Sequence, residues 1–209
     1  GLGDVYKRQA GAISMRESDQ KASVDPSKCI SCGICTYACP FGALIDKSWI
    51  VQAVNMLKGS KQWNYKVHAV VAPSIAGQFE GTSLGQVITA LEQLGFCQVH
   101  EVAEGADMTA HAEARELAEK GTLYSSCCPA FVSMVRKHFP ELMAFVSTTV
   151  SPMVAVERYI RSLRPDVVTV FIGPCISKKE EASIYGICDV VLTFEDLESW
   201  MAEEHLVIE

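Results

Sequence analysis

No stretch of this sequence approaches the roughly 20 consecutive apolar residues of a membrane-spanning helix, so no membrane span is expected. Positive charge is also in short supply. Eighteen Lys and Arg stand against 25 Asp and Glu, a formal charge of −7 with a pI near 5.3. That balance argues against nucleic acid and anionic membrane surfaces as partners. Residues 1–9 lack the apolar middle of a secretory signal. They resemble the peptide produced when sequencing-adapter DNA is translated, and are set aside as a non-native segment. Without Asp4, Lys7 and Arg8, 16 basic and 24 acidic residues remain, a charge of −8, and the chain is still acidic.

Cysteine, by contrast, is plentiful: nine in 209 residues. Their spacings are those of ligands rather than of a secreted disulfide scaffold, which predicts a reducing, cytoplasmic setting. Four lie in Cys29-Ile-Ser-Cys32-Gly-Ile-Cys35-Thr-Tyr-Ala-Cys39-Pro40, a C-x2-C-x2-C-x3-C-P run. Three thiolates two residues apart can wrap one corner of a 4Fe–4S cluster, and the fourth reaches the other cluster in two-cluster ferredoxins. Zinc sites more often show two separated CxxC pairs. Whether Cys39 joins the cluster of Cys29, Cys32 and Cys35 stays open. Gly11-Ala12-Ile13 echoes Gly42-Ala43-Leu44 behind the run, the turn and short strand that follow each run of a two-cluster ferredoxin. A first run ahead of Gly11 is therefore expected to have been lost.

Residues 10–46 read as a small ferredoxin-like 4Fe–4S module whose cluster supplies much of its folding energy. Residues 47–65 read as helix and linker, with a helix over 49–57 stopped by Gly59-Ser60. From 66 to 209, strand and helix alternate. Strands are expected at 67–72, 98–102, 167–172 and 189–193, and helices at 84–94, 110–120, 152–163 and 195–202. The fold class is thus α/β, a ferredoxin-like module followed by an α/β domain with a largely parallel sheet. Ligands of such sheets bind beyond the carboxyl ends of strands, where further cysteines fall.

Two segments stand out there. In Tyr124-Ser-Ser-Cys127-Cys128-Pro129-Ala-Phe131-Val132 the vicinal side chains diverge, suiting one ligand and one free thiol. Pro129 opens a helix whose free amides favour thiolate or an anionic cluster. In Phe171-Ile-Gly173-Pro174-Cys175-Ile-Ser-Lys178-Lys179-Glu180-Glu181 a cysteine and a lysine leave the end of a buried strand. Taken singly, the segments also read as structural cysteines and a solvated charge run.

Together, Ser-Ser-Cys-Cys-Pro-Ala-Phe-Val and Pro-Cys-x-x-Lys-x-x-Glu behind a ferredoxin module resemble the first two signature segments of the FeFe (iron-only) hydrogenases. The resemblance extends to Val71-Ala-Pro-Ser74, Gly105-Ala-Asp-Met-Thr109 and Val150-Ser-Pro-Met153. It implies reversible H2 oxidation and proton reduction, 4Fe–4S clusters, and the H-cluster, a 4Fe–4S cube joined to a diiron unit with CO, cyanide and dithiolate ligands. Cys128 and Cys175 match two ligands of its cube. Cys127 matches the thiol that passes protons to the diiron half. Lys178 matches the donor to one iron-bound cyanide, while Pro73 and Ser74 sit where the other is held. Glu113, Glu116, Lys120 and Ser151 match the proton path, with Ser151 expected to bridge the two glutamates toward Cys127. The implied partners are a ferredoxin or other redox carrier, H2 and protons, and diiron maturation proteins.

Three departures bear on activity. Phe131 stands where many members carry tryptophan, and Gly173 where many carry methionine. The family's third segment, with two further cluster cysteines, is not in the sequence, so the chain as written is expected to be inactive. A hydrogen sensor and a non-catalytic iron–sulfur assembly relative are the alternative readings, the latter disfavoured by Cys127 and Lys178. Cys97 and Cys188 are expected to be small buried hydrophobes. His68, His100, His111 and His138 are expected to be core or surface residues.

Overall fold

The computed structural model describes residues 10–16, 18–19, 21–40, 42 and 44–208; residues 1–9, Ala43 of the expected repeat and Glu209 lie outside them. The chain opens with an antiparallel pair, β1 (Ile13–Met15) and β2 (Ala22–Val24), and the short helix α1 (Ile34–Ala38) inside the cysteine run. Gly11 and Gly42 share the same left-handed turn, both at φ 59. A strand follows Gly11, but none follows Gly42 among the described residues.

Helix α2 (Ile50–Trp63) comes next. It runs through Gly59-Ser60, where a stop was expected, and ends at Asn64 in the left-handed conformation. The reason is tertiary. Tyr65 folds back over Gly59 and donates its hydroxyl to the Met56 carbonyl at 2.6 Å. A Cβ on Gly59 would meet that hydroxyl at 2.8 Å. Ala53 and Leu57 join the central core, so α2 is packed on the α/β domain along one face.

That domain holds β3 (Lys66–Val71), α3 (Leu84–Leu94), β4 (Gln98–Glu101), α4 (Val102–Lys120), α5 (Pro129–His138) and α6 (Pro152–Leu163). It continues with β5 (Val167–Ile172), α7 (Ser177–Tyr185), β6 (Val190–Leu192) and α8 (Phe194–Glu203). The sheet order is β4-β3-β5-β6 and every pairing is parallel. The chain moves from β3 outward to β4, then returns past β3 to β5. Right-handed crossovers therefore place the two connections on opposite faces, and β3 and β5 flank the point where the winding reverses.

Sequence signals set several boundaries directly. Ser83 and Gln86 cap α3 reciprocally, and Gly95 ends it at φ 113. Helix α4 starts eight residues before the expected 110, because Gly105 lets α6 approach it. A Cβ there would lie 2.1 Å from the Pro152 carbonyl oxygen. Helix α7 was not expected from apolar periodicity at all; its buried positions are Ser177, Lys179, Glu181 and Ala182.

Under α6, Glu157 is fully buried against β5. Thr169 donates to its Oε2 at 2.7 Å, while Oε1 has no partner. Burial pushes the carboxyl up to about 7. An unfolded Glu ionises near 4.5, so between these values the unfolded chain gives up its proton first. Stability therefore falls as pH rises through that window, by about 3 kcal/mol at most, and levels off above it. Urea denaturation at pH 5 and pH 8 should show this loss in the native chain and little of it in Glu157→Gln. Equal losses in both would exclude Glu157 as the source.

Candidate functional site

The site grows from the carboxyl ends of β3 and β5. Their register runs from Lys66↔Val167 to Val71↔Ile172, and Ala72 N–H extends it to the Ile172 carbonyl at 2.8 Å. Pro73 and Ser74 turn away from β3 in a 3-10 segment (Pro73–Gly77), with Ser74 exposed. Beside them, Gly173 N–H binds the Leu192 carbonyl at 3.1 Å. Gly173 has no room for a side chain: a Cβ would lie 2.7 Å from the Phe171 ring and 3.0 Å from Ala72 Cβ. Cys175 follows, its Sγ 2.9 Å from Ser177 Oγ at the start of α7.

The vicinal cysteines lie on the segment that leads into α5. Cys128 caps that helix through sulfur, with Phe131 N–H pointing at Sγ from 3.4 Å, and Pro129 opens the first turn. Cys127 and Cys128 are both exposed. The two segments meet through Lys178, whose Nζ donates to the Cys127 carbonyl at 3.1 Å and to Glu181 Oε2 at 2.7 Å. With side-chain exposures of 12% and 6%, this is a largely buried ion pair, so the cation is not left uncompensated.

Glu181 also accepts from Ser151 Oγ at 2.9 Å, while that hydroxyl caps α6 by accepting from Val154 N–H at 3.4 Å. The expected bridge from Ser151 to Glu113 and Glu116 is therefore not made here. Ser151 donates to the same Glu181 oxygen that Lys178 binds. Glu113 instead accepts from Ser125 Oγ at 3.0 Å and Ser126 N–H at 3.2 Å. Glu116 accepts from Ser147 Oγ at 2.9 Å and Thr148 N–H at 3.1 Å, and Lys120 Nζ lies 2.7 Å away. Lys120, outweighing the opposing burial and joined by Thr148 and Ser147, holds the Glu116 carboxyl down to about 2. The two glutamates thus sit on one face of α4 and clamp two different loops. Glu181 closes the Pro-Cys-x-x-Lys-x-x-Glu pattern but had been given no role of its own; its i+3 spacing from Lys178 was a usable signal for the pair.

A separate cavity of about 300 Å3 is walled by Cys29, Cys32 and Cys35 and is mostly apolar; among the described residues Cys39 does not line it. Ser31 N–H points at Cys29 Sγ from 3.4 Å. Burial pushes the Cys35 thiol up, backbone N–H groups of Cys35 and Thr36 pull it down, and neighbouring Cys32 and Cys29 push it up again. Thiols that oppose one another's ionisation suit a cationic cluster that relieves the repulsion. Among the described residues no three His, Cys, Asp or Glu converge on a single ion. Thiolates gripping different irons of one cube need not do so.

No disulfide joins cysteines among the described residues. Cys188 is buried, as expected, but Cys97 is exposed: Phe96 takes the core position, and Cys97 contributes only its N–H, to the Val67 carbonyl at 2.9 Å. His68 and His100 pair across β3 and β4, ring nitrogens 2.9 Å apart, and burial pushes His68 down to about 4.

Residues 65–209 match the family described as iron only hydrogenase large subunit, C-terminal domain. The chain belongs to that family. Residues 22–45 match the 4Fe-4S binding domain family, which covers β2, α1 and the cysteine run. Iron hydrogenase 1 of Clostridium pasteurianum is 33% identical over 79% of this chain and 40% of its own length. The NADP-reducing hydrogenase subunit HndD of Solidesulfovibrio fructosivorans is 29% identical over 81% of this chain and 34% of its own. The periplasmic Fe hydrogenase large subunit of Nitratidesulfovibrio vulgaris is 32% identical over 76% of this chain and 50% of its own. The chain thus spans between a third and a half of these curated relatives. Iron-only hydrogenases carry 4Fe–4S clusters and the H-cluster, and no helix among the described residues is long and apolar enough to cross a membrane.

Within this iron-only hydrogenase fold the two departures have structural settings. Phe131 packs edge-on to Tyr124, ring centroids 6.3 Å apart. The space a residue-173 side chain would enter is filled by Phe171. Gly173→Ala should therefore destabilise the chain by about 1–3 kcal/mol, read by urea denaturation; an unchanged midpoint would mean the Phe171 ring moves aside freely. Lys120→Met should raise the Glu116 carboxyl by about 1 pH unit or more, followed by carboxyl-carbon NMR. In the native chain the stabilisation from Glu116 is complete above its unfolded value of 4.5 and disappears as pH falls through about 2; in the variant it should disappear at higher pH. An unmoved Glu116 titration would assign its depression to the loop donors alone.

Proposed function

We propose that this chain is part of the catalytic subunit of an iron-only hydrogenase whose complete form interconverts H2 with protons and electrons. The observation that carries this reading is the contact from Lys178 Nζ to the Cys127 carbonyl at 3.1 Å. It draws the two signature segments together and sets a largely buried cation beside the vicinal thiols.

The donor set suits the H-cluster. Cys128 Sγ faces an N–H at the start of α5, and Cys175 Sγ faces the Ser177 hydroxyl. Cys128 and Cys175 would hold the cube, Lys178 would offer its ammonium to an anionic ligand, and at the end of β3 Pro73, which has no N–H, would set the turn from which the Ser74 N–H and hydroxyl donate. When bound, the H-cluster supplies an open iron position at which H2 is split heterolytically. Cys127 Sγ takes up the proton. Glu113, Ser151, Glu116 and Lys120 pass it onward, which requires the Ser151 hydroxyl to turn from Glu181 toward the glutamates of α4. Because Glu116 is held near 2, it serves as an ionised acceptor at the outer end of that path rather than as a proton store. Cys29, Cys32 and Cys35 would hold a 4Fe–4S cluster, which would supply electron transfer to a ferredoxin or another carrier. Cys39, outside that cavity wall, would serve a second cluster. Diiron maturation proteins load the site, and the ligand spacings of the cysteines suit a reducing cytoplasm.

A sensor is the second reading, favoured by Gly173, whose side-chain space is closed by Phe171. The complete gene, expressed anaerobically with diiron maturation, should evolve and consume H2, and Cys127→Ala should lower turnover by about 10²–10⁴-fold. A loaded cluster with trivial turnover would favour the sensor. A chain that takes up no diiron unit would favour the assembly relative.

A further inference from the structure

One buried charge has no part in this chemistry. Lys179 sits inside what reads as a solvated charge run, yet it is only 8% exposed. Its Nζ donates to the Asp46 carboxylate and to the Lys47 carbonyl at 2.8 Å, and lies 3.5 Å from Asp196 Oδ2. Asp46 and Lys47 belong to the segment leaving the cysteine run. Asp196 is the acidic half of the box that caps α8. A buried ammonium is tolerated only when carboxylates replace its lost hydration, and here one carboxylate comes from each side of the module boundary.

Three residues earlier on the same turn, Ile176 rests on Gly33. A Cβ on Gly33 would lie 2.8 Å from the Ile176 side chain. Ile176 follows Cys175, and Gly33 follows Cys32. Ile176 and Lys179 both line the cavity walled by Cys29, Cys32 and Cys35. A neighbouring cavity of about 590 Å3 has Cys32, Gly33, Cys175 and Ile176 in its wall. On the other side, Lys137 from the last turn of α5 donates to the carbonyls of Pro26 and Cys29.

We propose that Lys179 is the latch of an internal docking interface, seating the ferredoxin-type module on α7 so that Gly33 abuts Ile176. The latch fixes how far an electron travels between the cluster at Cys29, Cys32 and Cys35 and the site at Cys175. The docking itself rests on the contacts above; its meaning as an electron route rests on the hydrogenase reading. Lys179 is a positioning residue, since it reaches neither site with a ligand atom. An arginine can keep the cation between the two carboxylates, whereas methionine keeps the length and loses the charge.

Hydrogen–deuterium exchange on the full chain tests this without any turnover, so failure of the hydrogenase reading leaves the result intact. Asp46→Asn and Lys179→Met should each speed exchange of amides 29–47 by roughly tenfold or more, while β3 and β5 amides keep their protection. Lys179→Arg should stay within about threefold of the native rate. Asp46 lies on the module side, so its variant leaves the α/β core intact even where Lys179→Met does not fold. Unchanged exchange over 29–47 in Asp46→Asn would overturn the latch. So would an arginine variant that behaves like methionine, or losses in Asp46→Asn that spread equally into β3 and β5.

Discussion

The parallel pairing of β3 with β5 is the constraint on which the site depends. Both strands are buried almost end to end, and the Ala72–Ile172 hydrogen bond carries their register into the loops. That bond brings Pro73-Ser74 and Gly173-Pro174-Cys175 side by side at the point where the winding reverses, the crevice open sheets use for ligands. Close approach is possible because residue 173 is glycine; Phe171 and Ala72 already occupy the volume a side chain would need. Shifting this pairing by one residue would turn every buried side chain of β3 to the other face, and the two loops would part.

Much of the α/β layout was legible because its signals are local. Ser83, Gln86 and Gly95 bound α3, and Pro152 opens α6 behind its Ser151 cap. The strand at 167–172 is an apolar run that can only be buried. The errors share a different cause: contacts distant in sequence overrode local preference. Gly59 looked like a helix stop, but inside α2 it is the gap into which Tyr65 folds. Gly105 lay outside the helix expected at 110–120, but it is where α4 comes against the Pro152 backbone of α6. Helix α7 escaped notice because the face it buries is polar, so hydrophobic periodicity carried no signal there.

The site divides along the same line. The cysteine spacings and the family resemblance they support nominated the candidate residues. How those residues pair was not readable. Ser151 faces Glu181 rather than the α4 glutamates, a contact that forms only when α7 packs near α6, while Glu181 is already paired with Lys178 on its own helix. Lys179 and Glu181 were hidden inside Lys-Lys-Glu-Glu, a string whose composition suggests solvent. Burial depends on which side of a helix faces the core, and nine residues of mixed charge do not disclose it.

Helix α7 shows why that charge run is arranged as it is. Adjacent residues on a helix point about 100° apart, so Lys178 and Lys179 cannot share a target. Lys178 faces the vicinal cysteines and Lys179 faces the cysteine run, while Glu181, three residues from Lys178, returns beneath it. Each cation has a carboxylate, yet the two are satisfied differently. Lys179 is held by Asp46 from the module and Asp196 from α8, a pairing that closes one surface on another. Lys178 is held by Glu181 on its own helix, which aims the ammonium at the Cys127 segment while leaving its third N–H for an anionic guest. The same side chain, one residue apart, thus serves assembly in one case and recognition in the other. The difference lies in whether its counter-charge belongs to a different element of the fold.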